Sequence, residues 1–299
     1  MENFRNLAIR HLVDAYAKLD KELSTCIFGG TFKNLKNKDG ELIHYAHIFE
    51  KETDWPYNLL QPYRAKLVEY LKSHPDIDVH TGAHHLDSSQ MMCMNFFYPL
   101  MEEGKLISIL KYINPNIDWG TPSACFEFNS PLEMKLAKTN KLPNKLNKPT
   151  NFDFYIETDK GYHLYFEIKY TENDFGNPQK VKGTNDYPSQ YDEKFNKVYN
   201  QLIPACIDPQ RKGDKLFFLS HYQLMRNLVH LQTEKDYVIF LVPQKNPIIK
   251  HAREIRKELV SLSDNCKIVE WEDIIKVVGN DPQLHEYYAE FKKKYLEFE

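Results

Sequence analysis

The chain of 299 residues is long enough for one globular unit with a sizeable core. Apolar residues make up 42% and aromatic residues 13% of it, which excludes a disordered or low-complexity protein. Lys and Arg number 39 against 42 Asp and Glu, and the resulting net charge of −3 means that any nucleic-acid-binding surface must be local.

The cysteines and the apolar runs bear on the cellular compartment. The five cysteines are odd in number, widely spaced and never arranged as CxxC, which disfavours structural disulfides and a cysteine zinc cage. The amino-terminal stretch lacks the apolar core of a signal peptide, and no apolar run approaches the ~18 residues that would span a bilayer. These features predict a reduced, cytoplasmic protein with no membrane partner.

The elements follow in chain order. Apolar residues recur at helical spacing over residues 3–23, 56–71 and 88–113. After residue 130, short runs rich in Phe, Tyr, Ile and Val predict strands, namely NFDFYIE, YHLYFEIKY, DYVIFLV and CKIVEW. Further helical patterns cover residues 190–202, 216–231 and 248–262, and a last helix is expected from residue 282 onward.

Strands that alternate with helices predict an α/β fold, in which a mixed central sheet is flanked by helices. We expect residues 1–80 to form a helical N-terminal extension and residues 81–299 to form the core with its C-terminal helices, the two packed as one compact unit.

Residues 151–170 predict a β-hairpin whose turn covers residues 158–161, with Gly161 at a position of positive φ. Because side chains alternate along a strand, Glu167 and Lys169 share the polar face of the second strand. The alternation of Phe152, Phe154 and Ile156 with polar residues puts Asp153 on the same polar face. Two carboxylates and an ammonium group are therefore expected to converge.

Such a cluster suits metal-dependent hydrolysis of a phosphodiester. Mg²⁺ prefers oxygen ligands and takes one or two carboxylates from a protein. The ion lowers the pKa of a bound water and stabilises charge on the phosphate, while a neighbouring lysine orients or deprotonates the attacking water. We therefore predict Asp153 and Glu167 as ligands of Mg²⁺, for which Mn²⁺ is able to substitute, and Lys169 as the activating group.

The arrangement D-x(13)-E-I-K across a hairpin, with a helix following, is similar to the PD-(D/E)xK nuclease superfamily, although Phe152 rather than proline precedes the aspartate. The segments HLDSSQMMCMNFFYPL, TNFDFYIE, FEIKYTENDFG and SHYQLMRNL resemble a bacterial branch of predicted restriction endonucleases, over about residues 86–242. The resemblance implies a restriction endonuclease-like core and cleavage of double-stranded DNA, favouring a type II restriction enzyme. Palindromic cutting of both strands would favour a homodimer.

The tripeptide D/E-x-K is not specific by itself, because it begins at five positions, Glu103, Glu133, Glu167, Asp192 and Glu290. Only the copy at Glu167 lies in an alternating strand that follows a strand with an aspartate. The alternative for Glu167 and Lys169 is a salt-bridged strand surface, worth under about 1 kcal/mol.

The resemblance also implies a third acidic ligand from an upstream element. Glu127, in an aromatic strand-like segment, is preferred over Glu133, and either could be a plain surface carboxylate. Several related nucleases carry a glutamine-bearing helix beside the metal. Here the helical pattern 216–231 is expected to turn its leucines, Leu216 included, toward a core. Its polar face would then offer Gln223 and Arg226 to touch a phosphate or to position the lysine. An ordinary amphipathic helix is the alternative.

A local positive charge precedes the strand of Asp153. Between residues 134 and 152 there are five lysines and no acidic residue, and two more lysines follow the EIK strand. We predict that these side chains contact the DNA backbone, a merely solvated surface being the alternative. They are Lys135, Lys138, Lys141, Lys145, Lys148, Lys180 and Lys182.

Other sites and functions have weaker support in the sequence. His80, His84 and His85 are interpreted as loop residues rather than a metal cluster, because Gly82 disfavours a helix and no third ligand is evident. A repair or recombination nuclease is the nearest alternative function, and a catalytically inactive DNA-binding relative is the alternative from another class. An unrelated α/β metabolic enzyme ranks last, because the sequence has no Gly-rich phosphate loop.

Overall fold

A computed structural model describes residues 3–176, 178, 180–184, 186–259 and 264–298, without the side chains of Leu19, Lys145, Glu258 and Leu259. Its strands are Phe28–Lys36 (β1), Leu42–Phe49 (β2), Pro122–Asn129 (β3), Asn151–Thr158 (β4), His163–Ile168 (β5), Asp236–Val242 (β6) and Cys266–Glu270 (β7). The last five form one sheet in the order β3-β4-β5-β6-β7. The first three of these pair antiparallel, whereas β5, β6 and β7 pair in parallel.

Helices account for most of the remaining regular structure. In the described part of the chain the α-helices are Phe4–Arg10 (α1), Ala17–Leu19 (α2), Arg64–Ser73 (α3), Ser89–Glu102 (α4), Ile107–Ile113 (α5), Pro131–Thr139 (α6), Ser189–Lys197 (α7), Lys215–Ser220 (α8), Tyr222–Leu228 (α9), Ile248–Leu259 (α10), Trp271–Val278 (α11) and His285–Tyr295 (α12). A π-helical segment, His11–Tyr16, joins α1 to α2. Short 3₁₀ turns cover Leu23–Thr25, Glu52–Asn58, Asn144–Leu146 and Tyr199–Gln201.

Helices cover both faces of the five-stranded sheet. All seven residues of β6 are buried, as expected of a parallel strand with helices on either side. One face packs against α4, α11 and α12, and Phe154 stacks on Phe97 there with ring centroids 3.9 Å apart. The other face packs against α7 to α10, around Val238 and Phe240. The predicted α/β fold, a mixed sheet flanked by helices, is confirmed.

The helix α4 runs under the sheet and is buried all round from Gln90 to Leu100. Ser88 caps its N-terminus by accepting a hydrogen bond from the Met91 amide at 3.4 Å. Because this helix contacts both β4 and β5, it fixes from below the two strands of the predicted hairpin.

The N-terminal extension contains the expected helices and also a hairpin, β1–β2, that the sequence analysis did not anticipate. Phe28 pairs with Phe49 and Thr31 with His44, and the ladder is irregular between these pairs. A side chain at Gly30 would collide with the Phe49 carbonyl, so the close approach of the two strands requires glycine there. Residues of α1 share an apolar cluster with Phe154 and Phe166. The division of the chain at residue 80 stays a prediction.

Three other elements differ from expectation. The pattern 216–231 forms two helices that meet at His221, and Leu216 is 66% exposed rather than turned toward the core. The lysine-rich segment before Thr150 includes α6, which starts at a Ser130 cap with Pro131 in its first turn. The predicted end of the 248–262 helix lies outside the described residues. No helix within the described ranges is long and apolar enough to cross a membrane.

Candidate active site

The hairpin β4–β5 forms as predicted, with Gly161 at φ +77° in its turn. Its ladder runs from the pair Glu157 and His163 to the pair Phe154 and Phe166, and it stops there. Asp153 follows at the point where the strands part, and its Oδ2 accepts the Ile168 amide at 2.6 Å. A carboxylate thus replaces the main-chain pairing and holds the strands apart at one edge of a cavity.

Glu167, the next acidic residue, is held by three side chains. Its Oε1 accepts hydrogen bonds from Gln223 Nε2 at 2.7 Å and from Lys169 Nζ, which lies 2.9 Å away. Its Oε2 accepts one from Asn227 Nδ2 at 3.0 Å. The helix α9 supplies both amides, so the packing of α9 on the sheet fixes the orientation of this carboxylate.

Lys169 closes a ring with the same groups, because its Nζ also donates to Gln223 Oε1 at 3.0 Å. Its main chain is fixed on both sides: the amide donates to the Leu241 carbonyl at 2.9 Å, and the carbonyl accepts the Trp271 indole N–H at 3.2 Å. Burial would lower the pKa of Lys169, but attraction to Glu167 and other carboxylates raises it overall. The side chain therefore remains an ammonium group.

Glu127 lies on β3 directly opposite Asp153, between the pairs that Phe126 and Phe128 make with β4. Its φ is +52°, a left-handed conformation that costs a residue with a side chain about 1–3 kcal/mol. The carboxylate is 5% exposed and accepts a hydrogen bond from Gln90 Nε2 at 2.7 Å, with His80 Nε2 at 3.3 Å. Backbone strain at this position is maintained by the regular pairing on either side.

The three carboxylates face one cavity of about 590 Å³. Burial, followed by repulsion from Glu167 and Glu127, raises the pKa of Asp153 well above its usual value. This accumulation of negative charge, together with hard oxygen donors, fits an ion such as Mg²⁺. A hydrogen-bonded carboxylate oxygen still has a lone pair for a metal.

The same three carboxylates do not form a closed triad. In the described part of the chain, the group of three His, Cys, Asp or Glu residues whose ligand atoms all lie within 4.8 Å is His47, His85 and Asp87 instead. Because Mg²⁺ usually keeps several waters, two carboxylates are enough to hold it.

Glu133, the other upstream carboxylate, is 1% exposed and is not a surface group. It accepts hydrogen bonds from the Thr150 amide at 3.1 Å and from Tyr199 Oη at 3.1 Å, and it pairs with Lys194 at 3.7 Å. These contacts tie α6, α7 and the start of β4 together at the side of the cavity. Glu133 does not line the cavity, whereas Glu127 does.

Arg226 and Gln223 both line the cavity, on successive turns of α9. Arg226 Nε donates to Thr150 Oγ1 at 3.1 Å, and its guanidinium group lies 5.2 Å from the Tyr222 ring centroid. The sequence analysis expected Gln223 to touch a phosphate or to position the lysine, and the contact with Lys169 is compatible with the second role. That role stays a prediction.

The predicted DNA-contacting lysines are spread over three segments. Lys148 is exposed and lines the cavity, and Lys135, Lys138 and Lys141 are exposed on α6 and the turn after it. Lys180 and Lys182 are exposed in the loop after β5. The side chain of Lys145 lies outside what the structure describes.

Several residues that line the cavity were missed by the sequence analysis. Lys194 is 7% exposed, and burial lowers its pKa to about 8. It ends the D/E-x-K copy that begins at Asp192, which was not assigned to the site from the sequence. Asn227 also lines the cavity, and its hydrogen bond to Glu167 is a second contact that the sequence did not predict.

Phe152 lies on the opposite face from the one expected. It was predicted to share a face with Phe154, but it packs against Tyr165 and His230, with ring centroids 4.9 and 4.8 Å away. The alternation of β4 changes phase where its ladder with β5 ends, opposite the left-handed residue Glu127. Asp153 nevertheless faces the same cavity as Glu167, as predicted.

Comparison with known proteins bears on the family of this chain. A family model described as Restriction Endonuclease associating with ARP matches residues 17–296. No curated protein and no solved structure gives a significant match.

Proposed function

Since the chain belongs to the family of restriction endonucleases associating with ARP, we propose that it is a Mg²⁺-dependent endonuclease that hydrolyses phosphodiester bonds of double-stranded DNA, as a type II restriction enzyme does. The observation that carries this proposal is the convergence of Asp153 and Glu167, from two adjacent strands, at one cavity, with the Nζ of Lys169 2.9 Å from Glu167 Oε1. The fold supports it, because the strands part at these residues and leave room for a substrate.

In the proposed mechanism Asp153 and Glu167 hold the metal ion, with Glu127 on the opposite strand as the third acidic group. A bound Mg²⁺ would stabilise negative charge on the scissile phosphate and lower the pKa of a coordinated water. Gln223 and Asn227 keep the Glu167 carboxylate oriented through hydrogen bonds of 2.7 and 3.0 Å. Their role is to prevent rotation of the ligand, as partners of metal ligands commonly do.

Lys169 orients the attacking water with its Nζ, and its charge stabilises the transition state. Its position is defined by the contacts with Glu167 at 2.9 Å and Gln223 at 3.0 Å. Because the pKa of Lys169 is raised, the group is charged before substrate arrives. Because an ammonium group cannot accept a proton, the role of Lys169 is to orient the water and not to deprotonate it.

Lys148 and Arg226 line the cavity and are the groups we expect to contact the phosphates beside the scissile bond. The exposed lysines of α6 and of the loop after β5 extend this positive surface. Contacts of this kind fix the position of the duplex and carry no sequence information.

One observation favours a second candidate, a DNA-binding relative without catalysis. The pair formed by Glu167 and Lys169 is complete without any metal, since both side chains have protein partners. Such a pair would also be found in a structural salt bridge.

The test is a digest of supercoiled plasmid by the full chain with Mg²⁺, Mn²⁺ or Ca²⁺. We expect discrete, reproducible fragments with Mg²⁺ and a loss of about 10²–10⁴-fold in rate for Lys169→Ala, a range typical of groups that transfer or orient protons. The matched control is Lys292→Ala, because Lys292 ends another D/E-x-K copy and is half exposed on α12.

Three outcomes separate the alternatives. Progressive shortening from DNA ends would indicate a repair or recombination exonuclease. DNA binding without cleavage by any of the three ions would favour the inactive relative. Equal cleavage by the Lys169→Ala and Lys292→Ala variants would show that Lys169 has no part in the mechanism.

The proposed homodimer is tested separately, by light scattering of the protein bound to a palindromic duplex.

A further inference from the structure

A second cluster of ligand-type side chains lies apart from the three carboxylates of the cavity. His47 is on β2, His85 is in the loop before α4, and Asp87 is the residue before the helix cap. No third ligand is evident from the sequence around His85, because His47 lies 38 positions earlier. The fold brings one ligand atom from each of the three side chains within 4.8 Å of the others.

The spacing inside the cluster suits a shared metal ion. His47 Nε2 and Asp87 Oδ1 are 3.5 Å apart, longer than a good hydrogen bond of about 2.9–3.0 Å. Two ligand atoms on a tetrahedral Zn²⁺ are about 3.3 Å apart, given metal–ligand distances of about 2.0–2.1 Å. The two imidazole rings stand almost perpendicular, at 88°, with centroids 6.1 Å apart.

His85 supplies an independent sign of a missing ligand. Its side chain is buried, with the residue 9% exposed, and its Nε2 has no hydrogen-bond partner. An unsatisfied buried polar atom of this kind is destabilising, and a metal ion would satisfy it.

Asp87 is anchored as a metal ligand usually is. Its Oδ2 accepts a hydrogen bond from Thr171 Oγ1 at 3.0 Å, and Arg5 lies 3.4 Å from the same oxygen. The other oxygen, Oδ1, is left on the side of His47. Partners that fix the outer oxygen of a carboxylate hold the inner one in place for the ion.

We propose that His47, His85 and Asp87 bind one transition-metal ion of the Zn²⁺ class. Two imidazole nitrogens and one carboxylate oxygen are the donor set of such ions rather than of Mg²⁺ or Ca²⁺. A cavity of about 310 Å³ borders His85 and Asp87 and leaves room for a water as fourth ligand.

The ion would clamp the N-terminal hairpin to the nuclease core. Ile48, next to His47, forms an isolated bridge with His85, which is the main-chain contact between β2 and this loop. Through Asp87 the cluster also reaches Thr171, two residues after Lys169. Removal of the ion would therefore loosen the support of β2 and of the residues after β5.

The experiment uses the metal-stripped full chain carrying Asp153→Asn, so that the proposed Mg²⁺ site does not contribute to binding. Titration with Co²⁺ is expected to give one equivalent with the intense visible absorption of a four-coordinate ion, and Zn²⁺ is expected to displace it. The variant His85→Ala should weaken binding by more than about 100-fold, beyond the effect of losing an outer-shell partner.

The matched control is His84→Ala, since His84 is buried beside His85, with ring centroids 4.5 Å apart, and is not part of the cluster. It should bind metal as the parent does. Circular dichroism checks that each variant folds, and Asp87→Asn provides a second, isosteric loss of a ligand if His85→Ala does not fold. Absence of stoichiometric binding by the parent, or equal affinity of the His84→Ala and His85→Ala variants, would overturn the proposal.

Discussion

The left-handed backbone of Glu127 leads to a stability test that is independent of catalysis. Glycine and alanine at this position both remove the carboxylate, but only alanine keeps a Cβ at φ +52°. We therefore expect Glu127→Gly to be more stable than Glu127→Ala, and both should slow the proposed cleavage to a similar extent, because both remove the third acidic group.

The magnitude follows from two opposing effects. A residue with a side chain loses about 1–2 kcal/mol in the left-handed region. Glycine, in turn, loses about 0.5–1 kcal/mol more than alanine through the entropy of the unfolded chain. The net advantage of glycine at position 127 is then about 0.5–1 kcal/mol. At Glu157, an exposed residue of β4 whose φ is not positive, the order reverses and alanine is favoured by a similar amount.

Urea unfolding of the four variants, followed by circular dichroism, measures both differences. The difference in free energy of unfolding between the glycine and alanine variants should have opposite signs at positions 127 and 157. The total change between the two positions should be roughly 1–2 kcal/mol. If Glu127→Ala is as stable as Glu127→Gly, the backbone relaxes once the carboxylate is gone. The claim that the neighbouring strand pairs enforce the strain would then be wrong.

Three further predictions concern the site, the DNA surface and a buried lysine. Gly176 has φ +78° and a Cβ there would lie 3.0 Å from Gln223 Oε1, so Gly176→Ala should slow cleavage by displacing the partner of Lys169. Replacing Lys135, Lys138 and Lys148 with alanine should reduce the slope of log affinity for DNA against log salt, without changing sequence preference. The reduction should reach about 0.9 for each phosphate that the variant no longer neutralises. Burial and then repulsion from Arg64 lower the pKa of Lys294 to about 7. Between about pH 7 and 10 the unfolded chain therefore holds one more proton than the folded protein. The free energy of unfolding, relative to that of Lys294→Met, should rise across this window by at most about 1.4 kcal/mol per pH unit and should not change below it.

Each of these predictions has a matched control. Gly183→Ala has a similar φ of +82° and open space around its Cβ, so it should lose comparable stability and keep full cleavage. Exposed lysines on α3, α10 and α11, namely Lys72, Lys250 and Lys276, serve as the comparison triple, and an equal change of slope would contradict a local DNA surface. For Lys294, which donates to Asn58 and faces Asp20, Glu290, Tyr16 and Tyr295, a pH-independent difference from the methionine variant would show that the buried amine keeps its ordinary pKa.

Local sequence patterns predicted the sheet and the hairpin because both depend on short-range alternation. Asp153, Glu167 and Lys169 could be placed together because a tight turn at Gly161 fixes the pairing of two adjacent strands. The hairpin β1–β2 escaped prediction because its alternation is interrupted by Gly29 and by left-handed residues at Lys33 and Asn34.

Tertiary packing decided the features that the sequence analysis missed. The face of Phe152 changes where the ladder ends, which no residue pattern within β4 reveals. Lys194 reaches the cavity only because α7 packs beside α6, and His47 meets His85 only because β2 bridges to a distant loop. Contacts between residues far apart in sequence leave no periodic signal in a single chain.

The contact between the Trp271 indole and Lys169 can form only late in the synthesis of the chain. The indole N–H donates a hydrogen bond to the Lys169 carbonyl, although Trp271 is more than a hundred positions downstream. A growing chain therefore lacks one of the hydrogen bonds that fix Lys169 until residue 271 has been synthesised. Division of the chain just before Trp271 would place Lys169 and its indole partner on separate fragments, so the proposed cleavage should require their reassembly.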